Sequence, residues 1–558
     1  MKSLAVMRVR GLRRIAIAAG VGLAWCVTPA RAHANEYFVS GGGSDGGSGL
    51  SGSPWLTLQR AWQSVKAGDT VSVEDGTYAG FACDGVSGTA GAPIVFKSRN
   101  PLGAKINAAG AGVGSSASQD YIQLSSCSFI TVDGFEVSGA PRSGIAILGN
   151  SDDGSDARGV IIQNCYSHDN GGATVAGRHD GIFSGFALDL TIQDNRIDTT
   201  GEHGIYVSNA ADNPSILRND ISNTGANCIQ INADLSTGGD GLISNWRIEG
   251  NTVRDCHGSA GFNLDGVVDG IARNNVIYNA DKGGITLFQG DGAAASHDNL
   301  IVNNTVYDPS GSRAAIQVAD GANNNVIFNN IFISGSTGVE VQSVTGLVHD
   351  YNLISSISGD VQSAHESTPS AASLFIAAAT GNLQLSPTSP AIDHGVVSVA
   401  GKAAPTTDIL GSSRPAGADY DIGAYEAGAA SGTAGGGGSG GHLGAAGSTG
   451  AGGVGGKGAG GATGTGGSKG VGRGGGGNGG TESGVGGRAG SGSAAGGSRG
   501  ASGANGAQGG AMSMDGNSHG AAAGGCSCRT MRAPDGYAPW FVALAVLLLR
   551  RSRRTARL

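Results

Sequence analysis

Aromatic residues make up only 5% of this 558-residue chain, and charged residues only 14%. Both are too sparse for one large globular core with an ordinary charged surface. There is no basic excess: 35 Lys and Arg stand against 43 Asp and Glu, a formal net charge of -8. That excludes the electrostatic footprint of a nucleic-acid binder. Eight cysteines in so long a chain do not make a disulfide scaffold. Cys26 lies near the start, and Cys526 and Cys528 near the end. Cys83, Cys127, Cys165, Cys228 and Cys256 remain, an odd number that allows at most two bridges. They read as small buried hydrophobes. What the chain has in quantity is glycine, 104 residues of it. This composition suits a thin repetitive core joined to a tract that does not fold.

The repeat runs over residues 161–330. One short phrase recurs as IIQNCY, TIQDNRI, SILRNDI, RIEGNTV, IARNNVI, LIVNNTV and VIFNNIF. Its asparagines are read at Asn164, Asn195, Asn219, Asn251, Asn275, Asn304 and Asn330, at intervals of 31, 24, 32, 24, 29 and 26 residues by subtraction. Periods of roughly 20–50 residues signal solenoids or propellers. The units are short, rich in β-branched residues and alternate apolar with polar, which predicts strands. Such units bury a face only by stacking on their neighbours. An Asn at the same turn of each coil can bond its amide to the coils above and below, at the roughly 4.8 Å inter-strand spacing. The pattern resembles the right-handed parallel β-helix family, as in pectate lyases and other polysaccharide lyases, over about residues 35–427. The resemblance implies an all-β fold, a right-handed parallel β-helix.

Residues 1–34 resemble a secretory signal, with basic Lys2, Arg8, Arg10, Arg13 and Arg14 ahead of an apolar run. Residues 35–103 are the N-terminal cap and first strands. An amphipathic helix over 54–65 is predicted to cover the open strand edge. Residues 104–381 are the coils. Residues 382–427, with SPAIDHG followed by DIGAYEA, resemble the closing segment of many surface β-helix proteins. Asp393, Asp408 and Asp421 there read as turn formers. Residues 428–525 are almost all Gly, Ser, Ala and Thr and read as a disordered linker, reaching about 50–60 Å r.m.s.. Residues 526–558 combine a Cys motif, an apolar run at 537–549 that is short for a membrane span, and after it the five arginines Arg550, Arg551, Arg553, Arg554 and Arg557. They resemble the MYXO-CTERM sorting signals of myxobacterial surface proteins. The resemblance implies membrane contact before processing, a sorting machinery as partner and a final place at the cell surface.

One strand of each coil aligns on a Gly-Ile or its equivalent. Ile145, Ile182, Ile205, Ile229, Phe262, Ile285, Ile316 and Val339 are predicted to point inward. The outward column is Ala146, Phe183, Tyr206, Gln230, Asn263, Thr286, Gln317 and Glu340. A second outward column holds Ser208, Asn232 and Asp265. With the turns entering these strands, Arg178, His179, Asp180, His203, Tyr206, Gln230, Asn232, Asn263, Asp265 and Lys282 fall on one patch.

The lyase resemblance points to an acidic polysaccharide. Lyase or epimerase chemistry on a uronic acid needs a cation at the carboxylate, a base for the adjacent C–H, and an acid for the leaving oxygen or the opposite face. Arg178, or Ca²⁺ held by Asp180 and Asp265, is the candidate cation. His203 or Lys282 is the candidate base, and Tyr206 or His179 the candidate acid. Gln230, Asn232 and Asn263 are candidate substrate-binding residues. Hydrolysis needs two carboxylates flanking one bond, and Asp180 with Glu202 is the best pair. Neither an Asp-rich calcium cluster nor the Asp-Pro-His motif of alginate epimerases is present. The expected protein is secreted, tethered at the surface, and acts on or binds extracellular polysaccharide. The alternatives are a non-catalytic adhesin and a structural spacer.

Overall fold

The computed structural model describes residues 34–110, 119–150, 155–172, 178–209 and 211–428. The signal segment, the Gly-rich tract, the Cys motif, the apolar run at 537–549 and the arginine cluster lie outside the described residues. Among the described residues no helix is long and apolar enough to cross a membrane.

The chain winds into a right-handed parallel β-helix. Three sheets run along it, of 12, 11 and 11 strands, with every pairing inside them parallel. One coil passes through Thr191–Gln193 in sheet I, Arg196–Thr200 in sheet II and Ile205–Ser208 in sheet III, and Ser215–Leu217 opens the next. Strands of three to five residues dominate because each coil presents only that much apolar alternation. Each fully buried Ile or Val contributes roughly 1.5–3 kcal/mol, so stability accrues coil by coil.

The corner from sheet I to sheet II explains the repeated phrase. Its first residue is left-handed: Asp194, Arg218, Asn274, Asn303 and Asn329 have φ of 56°, 53°, 54°, 53° and 55°. Asn and Asp tolerate that conformation best among residues with a side chain. The next residue carries the ladder. Asn195, Asn219, Asn251, Asn275, Asn304 and Asn330 each donate from Nδ2 to Oδ1 of the next coil's Asn at 2.9–3.0 Å, ending on Asn352. Each Nδ2 also donates to a carbonyl of the coil before, so buried amide and backbone groups satisfy one another. Asn164 is not a rung. It occupies the left-handed position, φ 54°, and Cys165 stands in the ladder, its N–H donating to Asn195 Oδ1 at 2.9 Å. The phrase IIQNCY thus keeps register with TIQDNRI, Ile162 opposite Ile192 and Gln163 opposite Gln193, but carries its Asn one position early.

The N-terminal helix is shorter than 54–65. It spans Leu58–Trp62, capped by Thr57, whose hydroxyl accepts the Arg60 N–H at 3.1 Å. Leu58, Ala61 and Trp62 are buried, whereas Leu56 is exposed. Trp62 lies against Phe81 and Phe96, at ring-centroid distances of 6.1 and 5.3 Å.

The closing segment runs along the flank. Leu374, Phe375, Leu383, Leu385, Ala391, Ile422 and Ala424 pack on Val276, Ile331, Ile333 and Leu353 of sheet II. Asn303 Nδ2 donates to the Asp421 and Gly423 carbonyls, and Asn329 Nδ2 to that of Val396. Arg414 and Glu426, both with fully buried side chains, pair at 2.8 Å inside the segment.

Four of the five central cysteines are not simple hydrophobes. Cys83 bonds Cys127 and Cys228 bonds Cys256; Cys165 stays free and buried.

Candidate functional site

The site lies on sheet III, where register converts sequence into columns. Ile145, Ile182, Ile205, Ile229, Phe262, Ile285, Ile316 and Val339 pair in that order and are buried. The residue just before each is glycine in most coils for a steric reason. A Cβ at Gly181 or Gly204 would sit 2.7 Å from the carbonyl oxygen of the next coil and 2.4 Å from an Ile methyl. One residue earlier stands a polar column: Asp120, Ser143, Asp180, His203 and Asn227. Asp120 accepts the Ser143 N–H at 3.1 Å, Asp180 the His203 N–H at 3.2 Å, and Asn227 the Ala260 N–H at 3.0 Å.

Asp180 and His203 form the centre. Asp180 Oδ1 also faces His203 Nδ1 at 3.0 Å, so the carboxylate holds the ring by one nitrogen. The Asp180 side chain is fully buried and its Oδ2 has no hydrogen-bond partner. Glu202 joins them. Asp180, Glu202 and His203 each bring one potential ligand atom within 4.8 Å of the others. Glu202 Oε2 accepts the His179 N–H at 3.1 Å, which ties the two turns together. The Tyr206 ring lies 5.0 Å from that of His203, and the Phe183 ring meets Tyr206 edge-on at 5.3 Å. Arg178 stacks its guanidinium 4.2 Å over Phe183 and donates to Asp120 Oδ2 at 3.0 Å. Arg142 pairs with the same carboxylate. Burial pulls the Arg178 guanidinium below its usual range, opposed by the charge of Asp120.

The first outward column is open. Phe183, Tyr206, Gln230, Asn263, Thr286, Gln317 and Glu340 pair in sequence and are half-buried. Gln230 Oε1 accepts from Asn227 Nδ2 at 2.6 Å and Asn263 Nδ2 at 3.3 Å, fixing a short amide row beside the two aromatic rings.

The second column is not surface. Ser208, Asn232 and Asp265 are buried, because the chain after sheet III folds over them. Asp265 Oδ1 and Oδ2 accept the N–H groups of Gly290 and Asp291 at 2.8 and 2.6 Å. Asp265 anchors that loop, three coils and a strand's length from Asp180. The two do not fit a shared Ca²⁺, which needs six to eight converging oxygens. Asn232 Nδ2 lies 3.4 Å from both Tyr206 Oη and Asp291 Oδ2, under the site rather than in it. Lys282 is exposed and shares the turn column of His179 and Glu202, but stands three coils beyond Glu202, roughly 14 Å at the inter-strand spacing. It does not share one reacting centre with His203. The fully buried Asp180 cannot flank a glycosidic bond, so the hydrolytic pair with Glu202 is not formed.

Asp120 and Arg142 are the site residues that sequence reasoning passed over. The Gly-Ile alignment starts at Gly144, one coil after Asp120. Asp120-Tyr121-Ile122 has the spacing of Asp180-Gly181-Ile182, and that spacing was the available signal.

The family model described as right handed beta helix region matches residues 111–239 and 233–354. No curated protein matches the chain. Among solved structures, the chain is similar to pectate lyase Pel9A, with 14% identity, 70% of this chain and 96% of that one covered, and a TM-score of 0.44. It is also similar to the lacto-N-biosidase GH136 from Eubacterium ramulus, with 15% identity, 58% and 68% covered, and a TM-score of 0.42. The A-module of the mannuronan C-5 epimerase AlgE4 from Azotobacter vinelandii has 15% identity, 60% and 90% covered, and a TM-score of 0.37. At these scores the neighbours say nothing of this chain's chemistry, which rests on its own residues.

Proposed function

We propose that this protein acts on an extracellular acidic polysaccharide, moving a proton at His203 in lyase-like fashion. One observation carries the reading: a fully buried carboxylate, Asp180, holds His203 by Nδ1 at the head of an open aromatic and amide column. A carboxylate on one ring nitrogen fixes the tautomer and the ring's orientation, which leaves Nε2 to take or give the proton. The glycan would lie along sheet III over Phe183, Tyr206, Gln230 and Asn263, crossing successive coils. Tyr206, beside the imidazole, is placed to serve as the partner acid.

The chemistry balances within the glycan. His203 Nε2 takes the proton next to the uronate carboxylate, the C–O bond at the neighbouring position breaks, and the departing oxygen receives a proton. The product is an unsaturated uronide. A second reading, glycan binding without turnover, is favoured by Arg178, whose guanidinium is engaged by Asp120 and Phe183. The secreted and surface-tethered reading is supported by the basic and apolar leader, the C-terminal sorting-type segment, and two disulfides of the kind oxidising compartments sustain.

The test is digestion of pectate, alginate and other uronans, read by the ultraviolet absorbance of unsaturated products. Turnover by the wild type, lost in His203→Ala with retained circular dichroism, is the expected result. Glycan binding with no turnover on the whole panel would select the second reading.

A further inference from the structure

We propose that Asp180, Glu202 and His203 form a binding site for a divalent transition-metal ion. The geometry is the first argument. One ligand atom from each residue lies within 4.8 Å of the other two. Zinc-type ions hold nitrogen and oxygen ligands at about 2.0–2.2 Å, so a small contraction of these side chains would enclose one.

The second argument is independent of the clustering. Asp180 is fully buried, and its Oδ2 finds no hydrogen-bond donor. A buried carboxylate oxygen is normally satisfied, since leaving it bare forfeits its hydration with nothing in return. A cation at the cluster would supply the missing partner. It would also offset the two negative charges that Asp180 and Glu202 place beside one imidazole.

The donor set decides which cation. One imidazole and two carboxylates suit Zn²⁺ or Mn²⁺; Ca²⁺ prefers many oxygens and does not select imidazole. Three protein ligands leave at least one coordination position open. His203 turns Nδ1 to Asp180, so an ion there would take Nδ1 and leave Nε2 as an N–H donor to a glycan rather than as a base; metal binding and proton uptake are alternatives at His203. The inference goes beyond the polysaccharide reading and stands or falls without it.

The experiment uses the full chain, stripped with a chelator and titrated calorimetrically with MnCl₂ and separately with ZnCl₂, in the absence of any glycan. One ion bound per site, with affinity at least about tenfold weaker in Asp180→Asn and in Glu202→Gln, is expected. Lys282→Ala, three coils away, should bind as the wild type does. Glu202 is only half-buried, so its variant keeps the test alive if Asp180→Asn misfolds, with circular dichroism as the check on folding. No binding of either ion, or binding unchanged in Glu202→Gln, overturns the proposal.

Discussion

Asn352 Nδ2 donates to Glu366 Oε1 at 2.8 Å, and with that bond the asparagine ladder stops. Glu366 has a fully buried side chain and faces His349 Nδ1 with both oxygens, at 3.0 and 3.1 Å. It also accepts the Ser363 N–H at 3.0 Å, and Asp360 approaches the other side of His349 at 3.4 Å. The last rung is therefore closed by an ion pair rather than by another amide. That makes the end of the solenoid sensitive to pH.

The hydrogen bond and charge of Glu366, with Asp360 behind, hold His349 above its ordinary 6.5, against the opposing effect of burial. A histidine raised in the folded state stabilises fully below its unfolded pKa. That contribution is lost as pH rises through the higher folded value. Thermal melts should therefore show the wild type losing its advantage over His349→Gln as pH climbs from about 6 toward 9. A difference that stays constant across that range would count against the pair.

The ladder itself predicts a contrast between two asparagines that look alike in sequence. Asn275 Oδ1 accepts both the N–H and Nδ2 of Asn251, and its Nδ2 donates to the Ile248 carbonyl. Asn275→Ala strands these buried groups and should cost about 2–4 kcal/mol, at roughly 1–3 per group. Asn164, at φ 54° and paired with Asp133, is half-buried. Glycine adopts that conformation freely, so Asn164→Gly should stay within about 1 kcal/mol in urea unfolding. Equal losses would mean that Asn164 bears a rung after all.

That contrast also marks how far the sequence could be read. The inward stack from Ile145 to Val339 was legible in full, because strand side chains alternate and only one register buries every β-branched residue. Asn164 was misplaced because two adjacent corner positions both favour Asn, one for its left-handed backbone and one for its amide. Asp265 and Asn232 alternate outward as expected, yet lie buried. A loop over the sheet leaves no trace in strand periodicity. The Asp180–His203 contact joins residues 23 apart whose proximity follows only from coil length. Arg178 turns to Asp120, a partner 58 residues upstream.

Asp308 predicts a pH effect with a different origin. It is buried at the end of its strand, its Oδ2 has no partner, and burial with the nearby charge of Asp281 pushes its carboxyl up to about 7. An acid raised in the folded state withdraws stability as pH climbs from its unfolded value, 3.8, toward that folded one. Asp308→Asn should therefore gain on the order of 1–3 kcal/mol near neutrality. The gain should vanish below about pH 4, where both side chains are uncharged. A variant no more stable than the wild type at pH 8 would show that the carboxylate is solvated.

The cysteines separate by reactivity. Cys165 is buried and its thiol is pushed up to about 12 by burial, so this cysteine should not react with a thiol reagent until the β-helix unfolds. Cys228 and Cys256 close a loop with a sequence separation of 28. Replacing both with Ala should cost about 2–4 kcal/mol in urea melts, by releasing the unfolded chain. One equivalent of fast thiol labelling on the folded central region would contradict the burial of Cys165.

The aromatic column makes the last prediction, and it separates contact from catalysis. Tyr206 lies half-buried between the rings of His203 and Phe183, meeting Phe183 edge-on, whereas Glu340 stands in the same column five coils on. Tyr206→Ala removes a ring, and an aromatic contact contributes about 0.5–1.5 kcal/mol beyond its buried area. Uronan affinity, measured by gel retardation or calorimetry, should fall about two- to tenfold in Tyr206→Ala and stay unchanged in Glu340→Ala. The backbone of the strand does not depend on the ring, so circular dichroism should be unaltered. If Tyr206→Ala binds as the wild type does while Glu340→Ala fails, the glycan lies at the other end of sheet III and the centre at His203 loses its substrate.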